Sequence, residues 1–191
     1  MAAPLLLAAL AACGDGPTGS GEPEPSSIRF TYSGSGPQGV VQGTYQAEGD
    51  PAFPVAPITQ TFALGQRVSS ESTLRVMSNV ARSAEQTADF AWVVIPRLAV
   101  GTEPIEGTCP GELCAGVTLA LEISTNVAFD QAKYSCALDS GTIRITSISD
   151  GRAKGTFSGT GSCLGEPGTE NLDEFSITGG TFDVKVIDVP S

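Results

Sequence analysis

The segment GVTLALEIS, residues 116 to 124, constrains the fold most strongly. Val117, Leu119, Leu121 and Ile123 recur at every second position, with Thr118 and Glu122 among the residues between them. A two-residue period puts the apolar set on one face of an extended strand. Shorter runs of the same kind fill the chain. Ile28, Phe30 and Tyr32 alternate with Arg29, Thr31 and Ser33. VVQGTYQA (40–47), ITQTFAL (58–64), TLRVMSNVA (73–81), AKYSC (132–136), GTIRITSIS (141–149) and AKGTFSGTGS (153–162) read as further strands. ADFAWVVIP (88–96) is nearly continuous in apolar residues, so it reads as a central strand with Trp92 in the core and Pro96 as its stop. Stripes with the helical period of 3.6 are scarce. The 23 glycines and 13 prolines punctuate the runs. The prediction is all-β: an antiparallel β-sandwich or open barrel of about nine or ten short strands.

The last stretch, EFSITGGTFDVKVID, has a parity conflict. Phe175 and Ile177 stand at odd positions, Phe182, Val184 and Val186 at even ones. An unbroken strand would send the two sets to opposite faces. Either a bulge at Gly179-Gly180 returns both to the core, or the strand turns a corner between two sheets there. A short motif also recurs, as Gly43-Thr44-Tyr45, Gly155-Thr156-Phe157 and Gly180-Thr181-Phe182. Its irregular spacing excludes a solenoid repeat. It reads as strand entry, the glycine allowing a kink and the aromatic packing inward. Asp150-Gly151 is a favoured hairpin pair.

The amino-terminal part reads differently. Leu5 to Ala12 is apolar but far too short to span a bilayer, which needs about 20 residues. It has the length of a signal-peptide core. Leu10-Ala11-Ala12-Cys13 resembles the bacterial lipobox. That resemblance implies diacylglycerol on the Cys13 sulfur, loss of residues 1–12, and acylation of the new amino terminus. The first basic residue is Arg29, so the leader lacks the usual positive region, which points to a start codon upstream. Gly14 to Ser27 holds four Gly, three Pro and three acids, with no large apolar side chain. Such a segment cannot bury enough surface to offset its ordering entropy. Residues 13–27 are therefore expected to be a lipidated cysteine plus tether, and residues 28–191 a single β-sandwich-like domain.

Charge and composition narrow the chemistry. With 10 basic and 21 acidic residues the net charge is −11, which disfavours nucleic acid and anionic lipid surfaces. No Asp-x-Asp-x-Asp-Gly calcium loop is present. The chain contains no histidine, which excludes Ser-His-Asp and Cys-His catalysis and every histidine metal ligand. A pair of carboxylates could still hydrolyse a glycoside, though sequence does not say which acids face each other.

YSCALDSGTIRITSISDGRAKGTFSGTGSC followed by FSITGGTFDVKV resembles the carboxy-terminal half of uncharacterised bacterial lipoprotein domains. The matching elements are Tyr134, Gly141 to Thr146, Gly155 to Phe157 and Gly180 to Phe182. FAWVVIPRLAVGTEPI resembles that family's earlier strand, loop and Gly-Thr-x element. The resemblance implies a β-rich fold and an envelope location. It implies no activity.

Five cysteines are present. With lipid on Cys13, four remain: Cys109, Cys114, Cys136 and Cys163. An even number in an exported chain points to two disulfides. CPGELC suits a turn closing a small Cys109–Cys114 loop. Cys136 and Cys163 flank the hairpin at Asp150-Gly151. Pairing Ile143 with Phe157 on the core face would put these two cysteines on opposite faces of unbroken strands. A break at Asp139-Ser140-Gly141 removes the conflict. A four-thiolate zinc site is the alternative, but the C-x4-C and C-x26-C spacings do not suit zinc ribbons, so no metal and no cofactor are expected.

The expectation for function is a non-enzymatic envelope lipoprotein, anchored at the outer membrane or cell surface through Cys13. Its β-domain would bind or scaffold a glycan, another envelope protein or a small apolar molecule. Trp92 and the Pro51 to Pro57 region are candidate contacts. No catalytic residue is named. The alternative is a carboxylate-dependent hydrolase such as a glycoside hydrolase.

Overall fold

The computed structural model describes residues 24–37, 39–51, 60–68, 72–82, 86–107, 114–124 and 132–189. These residues form ten strands: β1 (Ser27–Gly36), β2 (Gly39–Glu48), β3 (Phe62–Val68), β4 (Thr73–Arg82), β5 (Thr87–Ile95), β6 (Gly101–Glu106), β7 (Gly116–Ser124), β8 (Ala132–Ser149), β9 (Arg152–Gly165) and β10 (Leu172–Val189). There is no helix among the described residues. The fold is all-β, as the two-residue alternation predicts.

All ten strands belong to one sheet. Its ladder closes on itself, because β10 pairs β3 and then β4, β5, β7, β8 and β9 follow in order back to β10. The seam is the β10–β3 contact, parallel from Val186↔Gly65 to Val189↔Val68; the other pairs among the described residues are antiparallel. Two strands are long. AKYSC and GTIRITSIS, which read as separate strands, merge into the 18 residues of β8. The final stretch becomes the 18 residues of β10. The first part of β10 carries β1, and β1 carries β2; the second part of β8 carries β6.

Bulges resolve both parity conflicts. On β8, Leu138 faces Gly161 and Ser140 faces Thr160, so Asp139 is an extra residue. Cys136, Leu138, Ile143 and Ile145 consequently all reach the core. On β10, Ile177 faces Gly159 and Gly180 faces Phe157, so Thr178 and Gly179 together oppose Ser158. Gly179 takes φ +62°, a conformation glycine enters without steric cost. Phe175, Ile177, Phe182 and Val184 are all buried as a result. The bulge, not the corner, is the solution adopted.

The Gly-Thr-aromatic motifs do more than start strands. Gly43 faces Tyr32, Gly155 faces Phe182, and Gly180 faces Phe157. A Cβ added to Gly43 or Gly180 would stand 2.7 Å from the facing ring or its hydroxyl. The glycine makes room for an aromatic on the neighbouring strand, while the motif's own aromatic packs inward. Phe30 stacks on Tyr45 with centroids 4.7 Å apart and meets Phe157 edge-on at 5.5 Å.

Trp92 departs from expectation. Ala91, Val93 and Ile95 enter the core cluster, whereas Trp92 is half-buried outside it. It meets Phe90 edge-on at 6.2 Å and lies across from Met77 and Thr118. Its indole nitrogen is buried without a hydrogen-bond partner. A continuous apolar run offers no alternation by which to choose a face, and the register chose the outer one.

Candidate functional site

Arg152 organises the end of the fold where β1 begins. Its guanidinium donates to the Glu24 carbonyl at 2.6 Å, the Pro25 carbonyl at 3.2 Å and the Asp183 carboxylate at 2.8 Å. Lys154 Nζ lies 2.7 Å from the other Asp183 oxygen. Burial pushes the Asp183 carboxyl up, but Lys154 and Arg152 outweigh it and hold the group below the usual carboxylate range. Ser26 is fully buried; its hydroxyl donates to Asp50 at 2.6 Å and accepts from the Lys185 amide at 3.0 Å. Glu24, Pro25 and Ser26, which precede the Ile28 boundary expected from composition, therefore bond to the β-domain.

A second polar group lies inside the ladder. Asp89, 4% exposed in its side chain, accepts from Arg82 Nε at 3.0 Å and Nη2 at 2.5 Å. It also accepts from the Glu122 amide at 2.9 Å. Glu122 has φ +54° and sits in a bulge, where Leu121 and Glu122 oppose Asp89. Burial and the Asp89 charge push the Tyr32 hydroxyl above its ordinary pKa, with Arg82 opposing. Tyr45 Oη pairs with Ser78 Oγ at 2.9 Å, and burial raises its pKa strongly. These contacts satisfy polar groups that burial would otherwise leave unpaired. Sequence reasoning passed over Asp89, though an acid inside ADFAWVVIP is the signal that could have found it.

One concavity among the described residues lies on the outer face of β1, β10 and β9. It is a groove of about 440 Å³ whose lining includes Ser33, Ser35, Asp139, Asp173, Glu174 and Ser176. The walls follow from strand parity. Ser33 and Ser35 alternate with the inward Tyr32, and Glu174 and Ser176 with the inward Phe175 and Ile177. Asp139 is the extra residue of the β8 bulge, so a device that repairs the core also presents a carboxylate. Ser35 Oγ donates to Glu174 Oε2 at 3.3 Å, and Ser176 Oγ to the Ser33 carbonyl at 3.4 Å. Hydroxyls and carboxylates give the groove donors and acceptors, beside an apolar portion of wall that includes Phe175.

Of the residues singled out by sequence, Cys136 and Cys163 face each other across β8 and β9 and form a disulfide, Cα–Cα 3.9 Å. Cys114 is also disulfide-bonded. Cys109, Cys13 and residues 52–57 of the proline-rich loop lie outside the described residues. Disulfide bonding at three of the four cysteines is incompatible with a four-thiolate zinc site. Among the described residues no group of three or more Asp, Glu or Cys side chains is placed to hold a metal ion. Trp92 lies on the outer face of β5, and the groove residues do not include it.

Compared with known proteins, the chain matches no family model, no curated protein and no solved structure.

Proposed function

We propose that the chain is a non-enzymatic binding domain of a bacterial envelope, anchored in the membrane through lipid on Cys13. The observation that carries this reading is the Cys136–Cys163 disulfide, because such bonds form and persist outside the reducing cytosol. Leu10 to Cys13 supplies the acylation motif and Gly14 to Pro23 the spacer. Acyl chains at one residue give stable anchoring when two or more are present.

The geometry also gives the domain a direction. Arg152 and Ser26 fix the chain where β1 begins. Ser33, in the groove, lies seven residues further along β1, roughly 20–25 Å at 3.3 Å per residue. A tether entering at Glu24 therefore leaves the groove well away from the attachment point. Its hydroxyl and carboxylate walls suit a polar, hydroxyl-rich ligand such as a glycan better than a small apolar molecule.

Intact mass of the protein from membranes of its own host tests the anchor. The expected result is loss of residues 1–12, acyl mass on Cys13, and four thiols that react only after reduction. An unprocessed chain with free thiols would overturn the reading. Glycan-array binding that Glu174→Ala abolishes tests the groove. The second reading, a glycoside hydrolase, draws on the carboxylates Asp139, Asp173 and Glu174 around the same concavity. Turnover of a bound glycan by the wild type, lost in Glu174→Gln, would replace binding with hydrolysis.

A further inference from the structure

The net charge of −11 is not spread evenly over the fold. β1, β4, β6 and β9 begin, and β2, β3, β8 and β10 finish, at the end where Arg152 holds Glu24, the entry end. Of the ten basic residues, two lie at the opposite end: Arg82, paired with Asp89, and Lys133, paired with Glu122. The other eight lie toward the entry end. The opposite end carries Asp139, Glu166, Glu170, Asp173 and Glu174, three of which line the groove.

Three basic residues of the entry end have no ion-pair partner among the described residues. Arg29, Arg144 and Lys185 are exposed and turn outward on β1, β8 and β10. The ladder sets them on one patch. Arg29 faces Thr181, Thr181 faces Thr156, and Thr156 faces Arg144. The two arginines therefore share a row three strand spacings wide, roughly 14 Å. Lys185 lies on β10 beyond Thr181, and Lys154 stands between, 2.7 Å from Asp183. Asp183 is itself shared by Lys154 and Arg152, so one carboxylate answers two cations. Glu24 and Glu48 stand on the Arg29 side of the patch. In a chain with 21 acids and 10 bases, exposed bases without partners are the exception, and these three gather at one end.

The same end receives the chain from Cys13. Eleven peptide steps separate Cys13 from Glu24 and span at most about 40 Å. A bilayer holding lipid on Cys13 thus stays within reach of this end, and even a weak attraction acts there at high effective concentration. Exposed apolar side chains do not choose between the ends, since Val100 and Ile148 lie at the entry end and Val40 and Leu164 at the other. Charge does.

We propose that the entry end is a membrane-contact surface on which Arg29, Arg144 and Lys185 meet the phosphates of anionic lipid headgroups. The inference rests on the Cys13 anchor. The bilayer attracts this end and repels the acidic groove end, so the domain takes one stance where a tether alone would permit many. The net charge of the whole chain does not describe the surface that meets the lipid. Both effects act within a Debye length, about 10 Å at 0.1 M salt, and vanish when salt is raised.

The test uses the lipidated full chain, as its host processes it, in vesicles of phosphatidylcholine with phosphatidylglycerol or of phosphatidylcholine alone. A bimane label is placed on Ser149→Cys or on Ser135→Cys, exposed positions toward the two ends of β8 and roughly 45 Å apart along the strand. Lipid spin-labelled at the headgroup is expected to quench the label at 149 several-fold more than the label at 135 in the mixed vesicles. The two are expected to approach equality in phosphatidylcholine alone and in high salt. The triple variant Arg29→Glu, Arg144→Glu, Lys185→Glu breaks no ion pair among the described residues and is expected to behave the same way with its melting transition kept. Equal quenching in the mixed vesicles, or a difference that persists in phosphatidylcholine alone or in the folded triple variant, would overturn the proposal and leave the anchor standing. A chain that does not float with the vesicles would overturn the anchor, and this inference with it.

Discussion

Gly155 on β9 lies directly across from Phe182 on β10, and the phenyl ring fills the space in which a side chain at 155 would stand. An added Cβ would meet that ring and the Arg144 carbonyl together. Neither neighbour yields easily, since one belongs to a packed core and the other to a ladder strand. Gly155→Ala is expected to destabilise by about 1–3 kcal/mol, the ordinary range for overpacking. Gly116, around which an added Cβ meets nothing within 4 Å, is the control. Its alanine variant is expected to stay within about 0.5 kcal/mol of wild type. Urea unfolding of the two variants measures the difference, and equal effects would sink the packing account of the motif.

The disulfide makes a second expectation. Cys136 and Cys163 are 27 residues apart and both fully buried. Closing a loop of that length removes denatured-state entropy worth roughly 3–4 kcal/mol in the chain-entropy model. Replacing both cysteines with alanine is therefore expected to lower unfolding free energy by about that much while leaving the strand content intact. A double variant as stable as wild type would mean that the β8–β9 ladder alone holds the two strands.

Much of this architecture can be read in the sequence because the core-facing residues keep a period of two. Val117, Leu119, Leu121 and Ile123 are all buried, and the two parity conflicts pointed to a break at Asp139-Ser140-Gly141 and to a bulge or a corner at Gly179-Gly180, where the structure has bulges. What could not be read has physical reasons. β6 contains Pro104 and two acids, the composition of a loop, and its strand character comes from pairing with β8. The parallel β10–β3 seam joins residues about 120 positions apart, as the Arg67–Asp188 pair across it illustrates, and local pattern carries no such information. The groove is harder still. Ser35 and Glu174 meet across 139 residues, and each alone is an ordinary outward polar residue on a strand.

Arg82 and Asp89 are unequal partners. The arginine side chain is 40% exposed and the aspartate 4%. Removing the arginine strands a buried carboxylate, whereas removing the carboxylate leaves a cation that can reach water. Arg82→Ala is expected to cost about 3–5 kcal/mol, the range for an uncompensated buried charge. Asp89→Ala frees the Glu122 amide at the bulge and is expected to cost less, about 1–3 kcal/mol. Chemical denaturation of both variants checks the order. A larger loss for Asp89→Ala would show that holding the Glu122 bulge outweighs the ion pair.

Asp183 sets an expectation for pH. Its folded carboxyl is held below the ordinary aspartate value by Lys154 and Arg152, against the opposing effect of burial. A carboxylate with a lowered folded pKa contributes stability that is complete above its unfolded value, near 3.9, and is lost as pH falls through the folded value. Asp183→Asn is therefore expected to be less stable than wild type at pH 7 and to retain most of that deficit at pH 5. The two proteins should converge as pH falls through the folded value, below the ordinary aspartate range, where wild-type Asp183 itself loses its charge. Arg152 also holds Glu24 and Pro25, so the variant should loosen the entry of the chain into β1. Thermal melts at pH 7, 5 and 2.5, read beside proteolysis at Glu24, separate the two effects. A stability gap that does not narrow at all as the pH falls from 7 to 2.5 would count against the charge of Asp183 and for its shape and hydrogen bonds.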